Sequence, residues 1–392
     1  MTPDDLFDIA SAEDIIAGDT TDVYFQRTLR ILKARGIDKR VVAEVRAKDL
    51  PGGRPWAIFA GLEYALRMLE RLQIDIEVRG IEEGTVFGAG DVVLSIAGRY
   101  NGFCLYETPL LGFLCQSSGI ATAAARCRKA AGERMLLSFG ARRMHPCLGP
   151  MIDRNAYVGG VDGVSVIGSA EALGLEPSGT MPHALILLIG STVEASRAFR
   201  EVIGKKVKCV SLVDTFNDEK FESLNVARVL GKDLFAVRLD TPASRRGNMA
   251  AIAREVRWEL DLNGFRHVKI YVSGGLDESK ISALNPWADG YGVGTSIANA
   301  PVVDFAFDIV EIEGRPLAKR GKEAGAKKLL RCARCFSREN TPLRAAAPRC
   351  ACGGTMERLD RAFMRKGRVA VKLPSPGEIR ARTLRELRRV EL

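Results

Sequence analysis

The sequence predicts an α/β protein: an N-terminal α/β sandwich (1–116), an irregular parallel β/α barrel (117–317) and a small C-terminal zinc-binding module (318–392). Three observations carry this. Between about residues 134 and 300, short apolar runs ending in Asp or Gly alternate with helical patterns. Gly-punctuated β-type runs come before them. Four of the nine cysteines crowd into residues 332–352.

Taken in order, the first sixty or so residues carry capping and turn signals with mixed helix. From Gly61 to Leu72 the apolar residues Leu62, Ala65, Leu66, Leu69 and Leu72 recur at helical spacing, which predicts an amphipathic helix. Between Ile74 and Tyr100, runs such as Val92–Ile96 alternate with Gly84, Gly88, Gly90 and Gly98, the pattern of a small sheet. Residues 107–132 read as helical, with Ser117 or Ser118 placed to cap a second stretch. Strands are then expected at about 135–140, 164–168 and 176–180. Clearer ones follow at Val207–Val213, Leu234–Leu239, Val268–Val272 and Ala288–Val293, with helices near 218–230, 248–263 and 277–284. Strands separated by helices need crossover connections, hence a parallel sheet. Asp or Gly at successive strand ends favours a barrel, whose functional rim gathers there, over the alternative of a doubly wound open sheet.

The composition, 46% hydrophobic and 27% charged over 392 residues, excludes a disordered, collagenous or membrane-spanning chain. The longest apolar run, Ala184–Ile189, falls far short of the roughly 18–20 residues that cross a bilayer. The start, Met1-Thr2-Pro3-Asp4-Asp5, lacks the basic and apolar regions of a signal peptide, so a cytoplasmic location is expected. The net charge of +10 is uneven: residues 318–392 hold 21 Lys/Arg against 7 Asp/Glu. Any nucleic-acid binding must therefore reside in the tail.

Cys332, Cys335, Cys350 and Cys352 read C-x2-C, fourteen residues, C-x-C, with Gly353-Gly354 to turn the chain. Four thiolates so spaced favour a tetrahedral structural zinc site, with two disulfides or free thiols as the alternatives. A closed four-Cys site keeps no open position, so no catalytic role is assigned to it. The other cysteines are scattered and read as small buried hydrophobes.

The strand ends carry the chemistry. Asp214 and Asp240 offer hard oxygens suited to hydroxyls or Mg²⁺. Arg238 lies two residues before Asp240, on the same strand face. Gly274-Gly275 and Gly292-x-Gly294-Thr295 offer backbone N–H groups ahead of helices, which suits a phosphate. Phe139 can stack on a flat ring while Arg142 or Arg143 forks onto a carboxylate or phosphate, with His145 close by. Together these point to a phosphate-sugar site. His183, one of three histidines, reads from its context alone equally as a functional group or as a satisfied core or capping residue, and His267 as structural.

The ordered motifs resemble nicotinate phosphoribosyltransferase of the type II phosphoribosyltransferase superfamily, particularly its shorter archaeal-type form with a cysteine-rich tail. They include Thr21–Phe25, Tyr106-Glu107-Thr108, Ser118–Thr122, Phe139-Gly140-Ala141-Arg142-Arg143, Gly159–Val164, Gly179–Ala184, Val237–Pro242, Gly292–Thr295 and Lys319–Lys322. The resemblance implies that nicotinate and phosphoribosyl pyrophosphate give nicotinate mononucleotide and pyrophosphate, with ATP hydrolysis coupled through a phosphorylated His183. Phe139, with Tyr24 of a neighbouring subunit, would sandwich the pyridine ring, so at least a dimer is implied. Arg142 and Arg238 would hold ligand anions, and Asp240 the ribose hydroxyls. Asp214 would sit by the ribosyl and pyrophosphate groups, with Mg²⁺. Gly274, Gly275, Gly292 and Gly294 would cradle the 5′-phosphate. Asp162 falls where nicotinate enzymes carry a small hydroxyl residue, so an acid near the ring is expected, to be offset by Arg142 or Arg143. Quinolinate and nicotinamide phosphoribosyltransferases are the enzyme alternatives. A zinc-ribbon nucleic-acid-binding protein is the alternative from another class.

Overall fold

The structure, a computed structural model, describes residues 9–392; the acidic start Met1–Asp5 lies outside the described residues. The described residues form two compact units, one running up to Thr122 and including Pro301–Val390, the other Ala123–Ala300 with Glu391–Leu392.

The second unit is built on a six-stranded sheet. Its strands run, in spatial order, Gly163–Val164, Met135–Ser138, Gly290–Val293, Lys269–Ser273, Leu234–Leu239 and Cys209–Leu212. Every pairing is parallel, and the two end strands do not pair with each other, so this is a half-barrel. Cys209–Leu212 and Gly290–Val293 are buried along their whole length, as parallel strands covered on both faces must be. The intervening helices fall where periodicity places them. Met249–Leu262 buries Met249, Ala253, Val256 and Leu260, a single stripe at helical spacing, and Asn248 caps its start by accepting from the Ala250 and Ala251 amides. Asp218 and Asp277 cap Glu219–Leu230 and Glu278–Leu284 in the same manner.

Several expectations change. The strand expected at about 164–168 is only Gly163–Val164, and Ile167–Leu173 is a helix. Residues 176–180 form no strand: Ser178 donates one backbone hydrogen bond to Val164, and Pro177 beside it has no N–H to extend the ladder. The stretch 107–132 is one helix, Glu107–Ala131, without an internal cap. Ser117 and Ser118 are buried within it, and Ser118 Oγ pairs with the backbone of Ala60 instead of starting a new helix.

The first unit contains a seven-stranded antiparallel sheet, ordered Arg315–Pro316, Phe305–Ile312, Arg40–Ala47, Val92–Arg99, Ile76–Gly80, Arg361–Arg365 and Arg368–Val369. Leu62–Arg71 buries Leu62, Ala65, Leu66 and Leu69 as its pattern predicts. The rings of Phe59, Phe87 and Phe305 meet at 5.5–6.4 Å in the core. Phe305–Ile312, placed by sequence in the barrel segment 117–317, pairs here with Arg40–Ala47. The tail is also part of this unit. Lys327, on the short strand Lys327–Cys332, donates to buried Glu44 at 2.7 Å from its amide and 3.2 Å from its ammonium. Arg338 Nε meets Asp91 at 2.6 Å, and Arg79 Nε meets Asp360 at 3.2 Å. Lys327 and Arg338 of the tail are thus paired with acids of the same unit, and the tail's Asp360 with one of that unit's arginines. Among the described residues no helix is long and apolar enough to cross a membrane.

The sulfurs of Cys332, Cys335, Cys350 and Cys352 lie within 4.8 Å of one another, with Cys332–Cys352 and Cys335–Cys350 at 3.5 Å. A tetrahedral thiolate site with bonds of about 2.3 Å has edges of about 3.8 Å, so the set suits one thiophilic ion. The C-terminal helix Pro376–Leu387 is tied to this knuckle: Arg331 pairs with Glu386 at 2.5 Å, and Arg389 donates to the carbonyls of Ala333 and Arg334. Metal analysis should find close to one bound ion per chain. Cys350→Ser should lose it and lower the melting temperature; full metal content surviving the loss of two of these cysteines contradicts the assignment.

Candidate active site

Within the second unit, the carboxyl ends of the parallel strands surround a cavity of about 550 Å³. Met135–Ser138 delivers Phe139, whose amide continues the ladder by donating to Val293 at 2.8 Å. A β-carbon on Gly292 would fall 2.4 Å from the Phe139 ring, so only glycine lets the ring lie across the neighbouring strand. Gly274 and Gly275 follow Lys269–Ser273 with φ of +91° and +66°, a left-handed pair that side chains resist. Both line the cavity, as do Gly292, Gly294 and Thr295.

Arg238 and Asp240 close Leu234–Leu239 and face the same cavity. Their side chains approach to 3.4 Å, and the Arg238 guanidinium stands 6.0 Å from the Phe139 ring centre. Burial pulls the Arg238 pKa below its usual value, opposed by the charges of Asp240 and Asp214. Ser273 Oγ donates to the second Asp240 oxygen at 2.7 Å, fixing the carboxylate. Arg142 and Arg143, exposed on the turn Ala141–Arg143, line the cavity as well.

His183 opens the helix His183–Ile189 directly after Pro182 and also lines the cavity. Its Nδ1 lies 3.0 Å from Thr215 Oγ1, and its Nε2 lies 3.5 Å from Asp214 and 3.9 Å from Asp240. Asp214 sits behind it, its side chain only 1% exposed, and neither of its oxygens has a hydrogen-bond partner among the described residues. Burial raises the Asp214 pKa; His183 opposes the rise and Asp240 adds to it. This buried carboxylate faces an imidazole that can take or carry positive charge.

The structure brings together Phe139, Arg142, Arg143, His183, Arg238, Asp240 and the glycine turns, with Asp214 at His183's back. It does not bring Asp162 to the cavity. That carboxylate caps the start of Met135–Ser138, accepting from the Leu136 amide at 2.9 Å and from Arg128 at 2.6 Å. The residue of this segment that does line the cavity is Ser165, one step past the strand Gly163–Val164. Placing that strand's end at Val164, not beyond it, is the signal that would have found it. His145 caps the turn Pro146–Leu148 and His267 contacts the Gly231 carbonyl; neither lines the cavity.

Tyr24 belongs to the first unit, on the helix Val23–Ala34, its residue 55% exposed and its hydroxyl donating to Asp22. That unit has its own cavity of about 260 Å³, where Glu107, Asp308 and Lys319 meet. Burial, then the charge of Asp308, pushes the Glu107 pKa up to about 7, while Lys319 and Lys322 hold buried Asp308 at 2.6 and 2.8 Å. The motifs Tyr106-Glu107-Thr108 and Lys319–Lys322 contribute to this cluster, which sequence reading left without an assigned role.

Two family profiles match in tandem, the N-terminal domain of quinolinate phosphoribosyl transferase over residues 22–118 and its C-terminal domain over 120–308. A nicotinate phosphoribosyltransferase of Mycobacterium tuberculosis is 32% identical over 360 residues, spanning 81% of this chain and 79% of that one. The crystal structure of a nicotinate-nucleotide pyrophosphorylase from Pyrococcus furiosus is 47% identical and superimposes with a TM-score of 0.96, covering 99% of this chain and 100% of that one. Human nicotinic acid phosphoribosyltransferase superimposes at 0.74 over 95% and 94% with 20% identity, a likeness of fold. The chain belongs to the nicotinate phosphoribosyltransferase family, built on the quinolinate-type pair of domains, and is a phosphoribosyltransferase.

Proposed function

We propose that this chain joins nicotinate to phosphoribosyl pyrophosphate, releasing pyrophosphate and forming nicotinate mononucleotide for NAD salvage, with ATP hydrolysis coupled through His183. The observation that carries the reading is one cavity holding an aromatic platform, three arginines, a fixed carboxylate and two glycine turns. The pyridine stacks on Phe139 with its carboxylate toward Arg142 and Arg143. The 5′-phosphate rests on the amides of Gly274, Gly275, Gly292 and Gly294 with Thr295, and the ribose hydroxyls bind Asp240. As the bond from ribose C1 to pyrophosphate stretches, the sugar becomes oxocarbenium-like, and the ring nitrogen supplies the electron pair that replaces the departing one. The protein's part is alignment and charge, with Arg238 balancing the leaving group and no protein nucleophile at the sugar. Mg²⁺, for which the oxygens of Asp214 and Asp240 are suitable ligands, neutralises pyrophosphate when bound.

Tyr24 covers the ring from a neighbouring subunit in this reading, so the working form is at least a dimer. The four-Cys ion is zinc and structural. A second reading, quinolinate as substrate, draws on the tandem quinolinate-type domains. It asks the cavity to neutralise two carboxylates, although Arg238 already pairs with Asp240.

A panel of nicotinate, nicotinamide and quinolinate, each with phosphoribosyl pyrophosphate and Mg²⁺, should show efficient turnover of nicotinate alone. A preference for either of the others overturns the substrate assignment. Ser165→Asp would set a like charge against the nicotinate carboxylate and should raise KM for nicotinate about tenfold or more, with nicotinamide affected less. Equal effects on both would remove Ser165 from the ring site. His183→Ala should lose ATP hydrolysis and the ATP-driven gain in turnover while slower transfer persists. Retained coupling in a folded mutant defeats the role given to His183.

A further inference from the structure

We infer that Ser296 is the positioning residue that clamps together the two glycine turns receiving the 5′-phosphate, an inference that rests on reading those turns as the phosphate cradle. A phosphate shared by two turns is bound well only where their separation is fixed before it arrives. The strands beneath supply that as far as their ladder runs. Lys269–Ser273 and Gly290–Val293 pair in parallel, and the last partners are Ser273 and Gly292. Past that pair the two turns need another tie.

The Gly292–Thr295 turn is anchored by its own short helix, Thr295–Ala298. The Gly294 carbonyl accepts from the Ile297 and Ala298 amides at 3.1 Å each, and the Thr295 carbonyl from Asn299 at 2.8 Å. The other turn is built on Gly274 and Gly275 at positive φ, residues with the most conformational freedom to lose. Two side chains hold it. Ser296 Oγ donates to the Leu276 carbonyl at 2.6 Å, and Lys280 Nζ donates to the Gly275 carbonyl at 2.6 Å. Neither Ser296 nor Lys280 lines the cavity, so both carbonyls are engaged outside it. Turned inward, their negative ends would oppose a phosphate. Of the two ties the lysine is the looser, since its side chain is 49% exposed and its ammonium also pairs with Asp277 at 3.0 Å. Ser296 is half-buried, has one carbon between backbone and hydroxyl, and sits on the anchored turn's helix. Its hydroxyl therefore passes the fixed geometry of one turn to the other. Neither partner of this clamp lines the cavity, so its loss should fall on the phosphate-bearing substrate and spare the pyridine.

The test uses the full chain as wild type, Ser296→Ala and Ser296→Thr. Ribose 5-phosphate is the probe in calorimetric titrations, followed by KM for each substrate and the melting temperature. Ser296→Ala should bind ribose 5-phosphate about fivefold more weakly and raise KM for phosphoribosyl pyrophosphate by the same factor, the scale of one lost hydrogen bond. KM for nicotinate should stay within about twofold, and Ser296→Thr, which keeps the hydroxyl, should bind the probe within about twofold of wild type. A hydroxyl that only stabilises the fold would instead lower the melting temperature and move both KM values together. Wild-type affinity in Ser296→Ala overturns the clamp, as do equal losses for the two substrates or equal weakness in a folded Ser296→Thr. If Ser296→Ala does not fold, Ser296→Cys, whose thiol is a weak donor, takes its place with the same expected loss. Failure of wild type to bind ribose 5-phosphate removes these turns as the phosphate cradle, and the clamp with them. The pyridine assignment fails separately: a wild type that binds the probe but does not turn over nicotinate, with binding weakened in Ser296→Ala, leaves the clamp standing.

Discussion

The contact on which the site depends is the Phe139 ring lying across Gly292. Parallel strands bring their carboxyl ends to a common rim, but at ordinary strand spacing a side chain on the next strand would occupy the place of the ring. The missing β-carbon at 292 lets the aromatic face stand inside the rim. The Arg238 guanidinium at 6.0 Å then shares the ring's surroundings. An aromatic platform adds about 0.5–1.5 kcal/mol beyond the area it covers, and it also fixes the plane of whatever stacks on it. In a reaction with little covalent work for the protein, fixing that plane is a large part of catalysis.

Around the ring, charges are graded by burial. Asp214 is enclosed and faces His183, Asp240 is half-buried and tied by Ser273, and Arg142 and Arg143 are exposed on a turn. Enclosed charges interact strongly because little water screens them; exposed ones adapt to a ligand at low cost. In the function proposed above, the exposed arginines are the groups that capture anionic substrates.

Much of this was legible in the sequence, for a physical reason. Buried parallel strands read as short apolar runs, and the residues that follow them are drawn to one rim, so Asp214, Asp240, the glycine turns and Phe139 could be grouped without coordinates. The differences arise where a strand's end or a contact distant in sequence decides the outcome. Gly163–Val164 is only two residues long, so its end is not fixed by periodicity; Ser165, one step past it, lines the cavity, whereas Asp162, placed near the ring by resemblance, does not. Phe305–Ile312 has the pattern of any half-buried strand, and only its long-range pairing with Arg40–Ala47 returns it to the first unit. Ser117 and Ser118 have the chemistry of caps, yet burial against Ala60 gives their polarity another use. The Thr215 contact joins residues 32 apart, a separation that no local pattern encodes.

Whether these strand ends orient a pyridine nucleotide is tested most directly by a crystal structure with nicotinate mononucleotide bound. The pyridine ring should stack on Phe139, with its carboxylate toward Arg142 and Arg143 and the 5′-phosphate on the amides of Gly274-Gly275 and Gly292–Thr295. A nucleotide bound in the reverse sense, with phosphate at the arginine turn, or bound away from Phe139, would contradict this orientation.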